Sequence, residues 1–223
     1  MTKTEVLDWL DRNGSARQRQ AMKRYGLPGD NAVGMSMGTI QAFAGKVGKD
    51  HALAQQLWAS GGYEARMVAA YIDEPGKVTR RQMDAWARDF DNWGTCDTVC
   101  FVLFDRTPFA YDKVAQWAKS DREFVRRGAF ALMASLAGHD KKAPDARFVE
   151  LLPLVEKYAI DDRNFVKKGV SWALRRTGTR SPALKKACIA VARRLAASDD
   201  AAARWVGKDA LRDLERKMAA KRR

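Results

Sequence analysis

The stretch Phe124-Val125-Arg126-Arg127-Gly128-Ala129 returns 41 residues later as Phe165-Val166-Lys167-Lys168-Gly169-Val170. A fainter copy, Trp205-Val206-Gly207-Lys208-Asp209-Ala210, follows after another 40 residues. Each copy has an aromatic residue, then a valine, and a basic residue three positions after the aromatic. A period near 40 residues is the spacing of HEAT and armadillo repeats, which are built from helix pairs. The stretch therefore predicts stacked helical repeats in the second half of the chain.

The rest of the chain also has helical periodicity. Apolar residues recur at intervals of three and four in segments from Thr4–Asp11 to Ala201–Met218, including a predicted helix at Ala146–Tyr158. Sustained alternation of apolar and polar residues, which would indicate strands, is absent. We therefore predict an all-α, HEAT/armadillo-like helical-repeat solenoid that forms a single domain over residues 1–223, with the last few residues as a basic tail.

The charge of the chain is concentrated in its second half. The 223 residues include 41 Lys and Arg against 27 Asp and Glu, a net charge of +14. Residues 121–223 hold 25 basic and 13 acidic side chains and so carry +12 of this excess. Such a surface favours a polyanionic partner, because each phosphate that is neutralised releases a condensed counterion. A basic surface that only aids solubility is the alternative.

Three cations occupy equivalent positions in the repeats: Arg127, Lys168 and Lys208. Burial against the neighbouring repeat explains the aromatic and the valine, but it does not explain these cations. Equivalent positions of a solenoid align along one surface, so we predict a basic stripe of these three residues that follows a phosphate backbone. The alternative is that their aliphatic stems cover the core while the charged ends lie in water.

Several other classes of protein are not supported by the sequence. No apolar run approaches the length of a membrane span, and the N-terminus has no signal-peptide pattern. Three cysteines cannot all pair, which suits a reducing cytosol. Motifs for nucleotide binding, zinc proteases and serine hydrolases are absent. We therefore expect a cytoplasmic, nucleoid-associated monomer without metal or cofactor.

The histidines and cysteines have structural interpretations. His51 and His139 are far apart, each at a helix end or turn, where surface or capping roles are expected. Cys96 and Cys100 are four residues apart and share a helix face. Without a nearby histidine or a C-x-x-C motif they are expected to pack in the interior, with a metal site as the weaker alternative.

Three segments resemble the DNA alkylation-repair family of HEAT-like proteins, the AlkD-like alkylpurine DNA glycosylases. Leu57-Trp58 with Tyr63–Ala69 resembles the family's L-W…E-x-(R/K)-x-x-A helix, and Asn92–Cys100 resembles its S-W-W-D-x-V-D segment. The run from Phe165 to Arg175 resembles F-(I/V)-(Q/K)-K-(A/G)-(I/V)-(G/S)-W-x-L-R. The resemblance extends from about Arg24 to the end of the helix that contains Trp172.

The resemblance implies a C-shaped solenoid whose basic concave face holds double-stranded DNA. Active members of the family excise N3- and N7-alkylated purines without flipping the base into a pocket, unlike most glycosylases. In them a carboxylate supports the developing oxocarbenium sugar and aligns water, aromatic faces pack on the deoxyribose, and an arginine holds the backbone.

The family's site residues are only partly present. The backbone arginine falls on Arg127 and one of the aromatics on Trp172. Cys96 stands where the family has a tryptophan that faces the lesion, and Cys100 stands where it has the catalytic aspartate. A neutral thiol cannot replace the electrostatics of a carboxylate.

A rearranged site is one interpretation of this departure. Asp97 precedes Cys100 by three residues and could supply the carboxylate, with Trp93 in place of the missing tryptophan. The alternative for Asp97 is a cap or a buried hydrogen-bond partner.

Two functions therefore stay open at this point. One is a glycosylase of this family, with Asp97, Arg127 and Trp172 as catalytic residues. The other is a non-catalytic module that binds DNA, including altered or branched DNA. A protein-binding scaffold is disfavoured by the cationic second half. For both open functions the predicted DNA contacts are Arg126, Arg127, Lys167, Lys168, Arg175 and Lys208.

Overall fold

The computed structural model describes residues 1–28 and 30–220, and the predicted tail residues 221–223 lie outside this range. The chain divides into two compact units, Met1–Pro108 and Phe109–Arg223. Among its described residues the first unit has seven α-helices and a final 3-10 turn at Phe104–Arg106. The helices are α1 (Lys3–Asn13), α2 (Ala16–Arg24), α3 (Met37–Val47), α4 (His51–Ala59), α5 (Tyr63–Ile72), α6 (Arg80–Arg88) and α7 (Trp93–Val102).

Up to Ala220, the last residue described, the second unit has seven α-helices. They are α8 (Ala110–Trp117), α9 (Glu123–His139), α10 (Asp145–Val149), α11 (Leu152–Tyr158), α12 (Asn164–Thr177), α13 (Pro182–Ala196) and α14 (Ala201–Ala220). The described residues contain no strand, so the predicted all-α class is confirmed. None of the helices within this described range is both long enough and apolar enough to cross a membrane.

One predicted helix is wrong in its extent. The segment Ala146–Tyr158 forms two short helices, α10 and α11, rather than one. Pro153 lies in the first turn of α11, where its missing N–H costs no hydrogen bond. Inside a continuous helix the same ring would clash with the carbonyl of Val149 and remove a hydrogen bond, so the chain starts a new helix instead.

A buried carboxylate organises the first unit. Glu64, near the start of α5, is 2% exposed. Its oxygens accept hydrogen bonds from the backbone N–H groups of Val33 and Gly34, both at 2.9 Å, and of Met35 at 3.2 Å. Three donors on one carboxylate satisfy the backbone of the loop that leads into α3. The conspicuous glutamate of the Tyr63–Ala69 segment therefore holds a loop.

The tryptophan and arginine of the same motif also have structural partners. Trp58 stacks on Trp86 with ring centroids 3.9 Å apart, and its indole N–H donates to Asp89 Oδ2 at 2.8 Å. The guanidinium carbon of Arg66 lies 5.1 Å from the Trp58 ring centroid, and Arg66 Nη1 donates to the Asp89 carbonyl at 3.2 Å. This motif joins α4, α5 and α6 into the core of the first unit.

The repeats of the second unit stack as the sequence predicts. Helix α12 packs against both α9 and α14, while α13 packs against α14 and contacts α11. The repeated valines lie in these interfaces: Val125 is 6% exposed, and Val166 and Val206 are fully buried. The three copies of the motif therefore lie on three helices that pack in the order α9, α12, α14.

Close packing also explains why the third copy is fainter. Gly207 stands where the first two copies have Arg126 and Lys167. A Cβ atom at Gly207 would lie 2.2 Å from the backbone nitrogen of Ala196 and 2.6 Å from the carbonyl oxygen of Ala192. Helix α13 crosses α14 so closely at this point that no side chain fits.

We therefore predict that Gly207→Ala destabilises the second unit by about 1–3 kcal/mol or more, because the methyl group meets backbone atoms rather than a movable side chain. Gly169→Ala is the matched control, since its added Cβ would lie 3.5 Å from its nearest neighbour, an ordinary contact. Urea unfolding of both variants measures the difference. Equal unfolding free energies for the two would contradict the close approach of α13 and α14.

Candidate nucleic-acid interface

Four predicted or motif residues share one face of α12. Phe165, Lys168, Trp172 and Arg175 are spaced by three, four and three residues, so they follow one stripe of the helix. Lys168 is exposed, and the other three are half-buried. Because α9 and α14 pack on either side, Arg127 and Lys208 are placed on the neighbouring helices at the same repeat position as Lys168.

Two members of the basic stripe have free charges. Lys168 and Lys208 are both exposed, and within the described part of the chain neither ammonium lies within 4.0 Å of a carboxylate. Lys167 is half-buried, with its Nζ 5.5 Å from the centroid of the Trp205 ring. The lysines of α12 and α14 therefore keep charge that a phosphate could neutralise.

Arg127 has a different environment from the other two stripe residues. It is only 7% exposed, and its Nη1 donates to the carbonyl oxygen of Phe165 at 2.7 Å. Its guanidinium carbon lies 6.0 Å from the centroid of the Phe165 ring. Arg127 thus ties α9 to the first turn of α12, so its predicted DNA contact would involve a side chain that already has a structural role.

Arg126 is held in an ion-pair cluster at the start of α9. Its Nη1 pairs with Asp161, its Nη2 lies 3.4 Å from Asp121, and its guanidinium carbon lies 4.9 Å from the Tyr158 ring centroid. Arg163 binds the same Asp161 carboxylate, at 2.6 Å and 2.9 Å. The cluster links the loops that precede α9 and α12, so the predicted DNA contact at Arg126 falls on a group with several partners.

Asp209 also lies at this face, although the repeat pattern does not predict it. It stands where the first two repeats have glycine, and it accepts a hydrogen bond from Ser171 Oγ at 2.6 Å. Arg175 Nε lies 3.5 Å from the same carboxylate, and Arg212 pairs with it as well. The sequence feature that could have indicated this role is the aspartate at a position where the first two copies have glycine. Asp209 positions Arg175, a predicted DNA contact, between α12 and α14.

The segment that resembles the glycosylase motif lies in the first unit, at the start of α7. Asn92 caps this helix by accepting from the N–H of Thr95 at 2.9 Å. The indole N–H of Trp93 donates to the carbonyl oxygen of Tyr25 at 2.8 Å. A Cβ at Gly94 would lie 2.7 Å from both the Leu27 side chain and the Tyr63 hydroxyl. These contacts fasten α7 to α5 and to the end of α2.

The two cysteines of α7 are buried, in agreement with the expected interior packing. Cys96 and Cys100 are both 0% exposed and form no disulfide, whereas Asp97 is half-buried. The thiol at the position of the family's aspartate therefore does not reach solvent. Asp97 and Trp93 lie on α7 in the first unit, and Arg127 and Trp172 lie in the second.

The histidines differ partly from expectation. His51 begins α4, and its Nδ1 lies 2.6 Å from the carboxylate of the fully buried Asp73, which also accepts from Gln82 at 2.6 Å. His139 ends α9, with its Nδ1 3.5 Å from Ser135 Oγ. Across the described residues, no group of three or more His, Cys, Asp or Glu side chains could hold a metal ion.

The ion pairs of Asp161 should make the free energy of unfolding depend on pH. Burial alone would raise the pKa of Asp161, but hydrogen bonds from Arg163 and Arg126 outweigh it and lower the pKa from 3.8 to about 2. The stabilisation is therefore fully present above pH 4 and is lost as the pH falls through about 2. We predict that Asp161→Asn lowers the free energy of unfolding by about 2 kcal/mol at pH 7, and by progressively less below pH 4.

Urea unfolding at pH 7 and pH 3 measures this effect. Asp162→Asn is the matched control, because Asp162 is the exposed neighbour and has no ion pair within the described chain. A loss of stability in Asp161→Asn that is the same at both pH values would show that the carboxylate charge does not carry the effect.

Comparisons with known proteins agree with this architecture. A solved structure described as "A new family of proteins related to the HEAT-like repeat DNA glycosylases with affinity for branched DNA structures" superposes with a TM-score of 0.78. The match has 19% sequence identity and covers 86% of this chain and 83% of that chain, so it supports the fold. No curated protein matches the sequence. The model of the family described as "DNA alkylation repair enzyme" matches residues 6–214. The chain therefore belongs to the DNA alkylation repair enzyme family.

Proposed function

We propose that this protein binds double-stranded DNA through the face formed by α9, α12 and α14. The observation that carries the proposal is the pair of exposed lysines, Lys168 and Lys208, at equivalent positions of adjacent helices and without acidic partners in the described chain. Phosphate contacts of this kind supply most of the sequence-independent affinity for DNA. The net charge of +12 over residues 121–223 would add to it at longer range.

The arrangement of the arginines supports the same assignment. Arg126, Arg163, Arg175 and Arg212 all pair with Asp161 or Asp209. The Arg126 pair joins α9 to the loop before α12, and the Arg175 pair joins α12 to α14. The lysines remain available for a ligand. The affinity for branched DNA stated for the structural neighbour is consistent with a surface that reads phosphates rather than base sequence. On this proposal the protein acts as a monomer at the nucleoid, without metal or cofactor.

We predict that Lys168→Ala and Lys208→Ala each weaken duplex binding about equally on different sequences and each lower the slope of log K against log salt concentration by about one. Fluorescence anisotropy over a salt series measures both quantities. Lys186→Ala is the matched control, since Lys186 is an exposed lysine on α13, outside the proposed face. An unchanged slope in Lys168→Ala and Lys208→Ala would mean that these lysines contact no phosphate, and an equal fall in Lys186→Ala would mean that the effect is one of general charge.

A second candidate function is excision of N3- or N7-alkylated purines. It is favoured by one observation: Asp97 is the only acidic residue of α7 and is partly exposed, while Cys100 is fully buried. A carboxylate can stabilise the positive charge that develops on the sugar as the glycosidic bond breaks. The thiol of Cys100 lacks that charge when protonated.

The decisive assay is release of 7-methylguanine and 3-methyladenine from methylated duplex DNA. Release by the wild type that is abolished in Asp97→Asn, with DNA binding unchanged, would establish excision through Asp97. No release by the wild type, together with activity in Cys100→Asp, would assign the protein to DNA binding alone. The DNA-binding face is tested separately by the lysine variants, so the two functions can fail independently.

A further inference from the structure

The repeated aromatic residues keep exposed surface. The sequence predicts burial of both the aromatic and the valine of each repeat, and this is correct for the valines. Phe124 and Phe165 are only half-buried, and Trp205 is 37% exposed. Inter-repeat packing therefore accounts for the valines and leaves aromatic surface at the start of α9, α12 and α14.

These aromatic rings alternate with cations from the preceding repeat. The rings of Phe124 and Phe165 have centroids 5.3 Å apart, and Arg127 of the first repeat lies over Phe165 of the second. Lys167 of the second repeat, one repeat position earlier than the equivalent of Arg127, lies over Trp205 of the third, with its Nζ 5.5 Å from the ring centroid. We call Phe124, Phe165 and Trp205 the aromatic ladder.

Aromatic rings beside cations are the combination by which proteins hold single-stranded nucleic acid. Bases stack on the rings, and the cations follow the sugar–phosphate backbone. Paired bases inside a duplex are already stacked on both faces, so they cannot use such a ring. An apolar protein partner would have to bury the neighbouring lysines, which is costly without acidic partners of its own.

Of the three rings of the aromatic ladder, that of Trp205 has room to stack on a base. Phe124 and Phe165 are already in contact, so no base fits between them. Trp205 pairs with no other ring of the described chain and has more than a third of its surface accessible. The ammonium of Lys167 lies over this ring, and Lys208 follows one turn further along α14. The ring and its two lysines are therefore placed to take one base together with its flanking phosphates.

We infer that Trp205 is a stacking platform for an unpaired base of single-stranded DNA, with Lys167 and Lys208 as its phosphate contacts. The inference rests on the proposed DNA-binding function and adds a second substrate form, a single-stranded segment next to the duplex face. On this inference Trp205 stacks on an unpaired base and does not contribute to the binding of duplex DNA.

The experiment compares a fluorescein-labelled oligothymidylate with a labelled duplex of the same length, by anisotropy at one salt concentration. Trp205→Leu keeps apolar bulk but has no aromatic face, and Trp205→Phe keeps a ring. Trp205→Leu should weaken oligothymidylate binding at least about fivefold, while Trp205→Phe stays within about threefold of the wild type. Duplex affinity should be the same in both variants. Tyr25→Ala removes another exposed aromatic, in the first unit, as a matched control without effect.

Equal affinity of Trp205→Leu and Trp205→Phe for oligothymidylate would overturn the inference. So would an equal loss of duplex and single-strand binding in Trp205→Leu, since that would reflect a general effect on the face. Thermal melts confirm that both variants are folded. If the wild type binds duplex but not oligothymidylate, only this inference fails, whereas a wild type that binds neither also contradicts the proposed function.

Discussion

The packing of α12 between α9 and α14 is the constraint on which the rest of the second unit depends. Val125, Val166 and Val206 are buried in these interfaces at the same repeat position. Once the valines are fixed, the side chains one residue before and two residues after them are fixed as well. The positions of the repeated aromatic and cation therefore fall on one face of three helices whose loops and partner helices differ.

The charged residues at this face and in the adjoining loops fall into two groups with different roles. Asp161 and Asp209 each bind two arginines and so hold neighbouring helices and loops in position. Lys168 and Lys208 bind no acidic group in the described chain and stay exposed. Ion pairs between partly buried arginines and carboxylates give rigid geometry, because the planar guanidinium binds in defined directions. Lysines on such a scaffold present charge to a ligand without having to break an existing pair.

Much of this could be predicted from the sequence, and the failures have identifiable physical causes. Helical periodicity and the repeat predicted the all-α class, and the buried valines confirm the stacking. The burial of Arg127 was not predictable, because its Phe165 carbonyl partner is 38 residues away. Gly207 and Asp209 depart from the repeat because of contacts with α13 and with Ser171, which only the packed helices reveal. For α7, the sequence located the segment and its cysteines, but the Trp93–Tyr25 contact spans 68 residues.

Protection of lysines from chemical acetylation tests directly whether DNA binds at Lys168 and Lys208. The native protein is treated briefly with an acetylating reagent, with and without duplex DNA, and modification at each lysine is read by mass spectrometry. We predict that DNA protects Lys168 and Lys208 on the face of α12 and α14, and leaves Lys186 on α13 as reactive as in the free protein. Protection of Lys186 with Lys168 and Lys208 still reactive would contradict it.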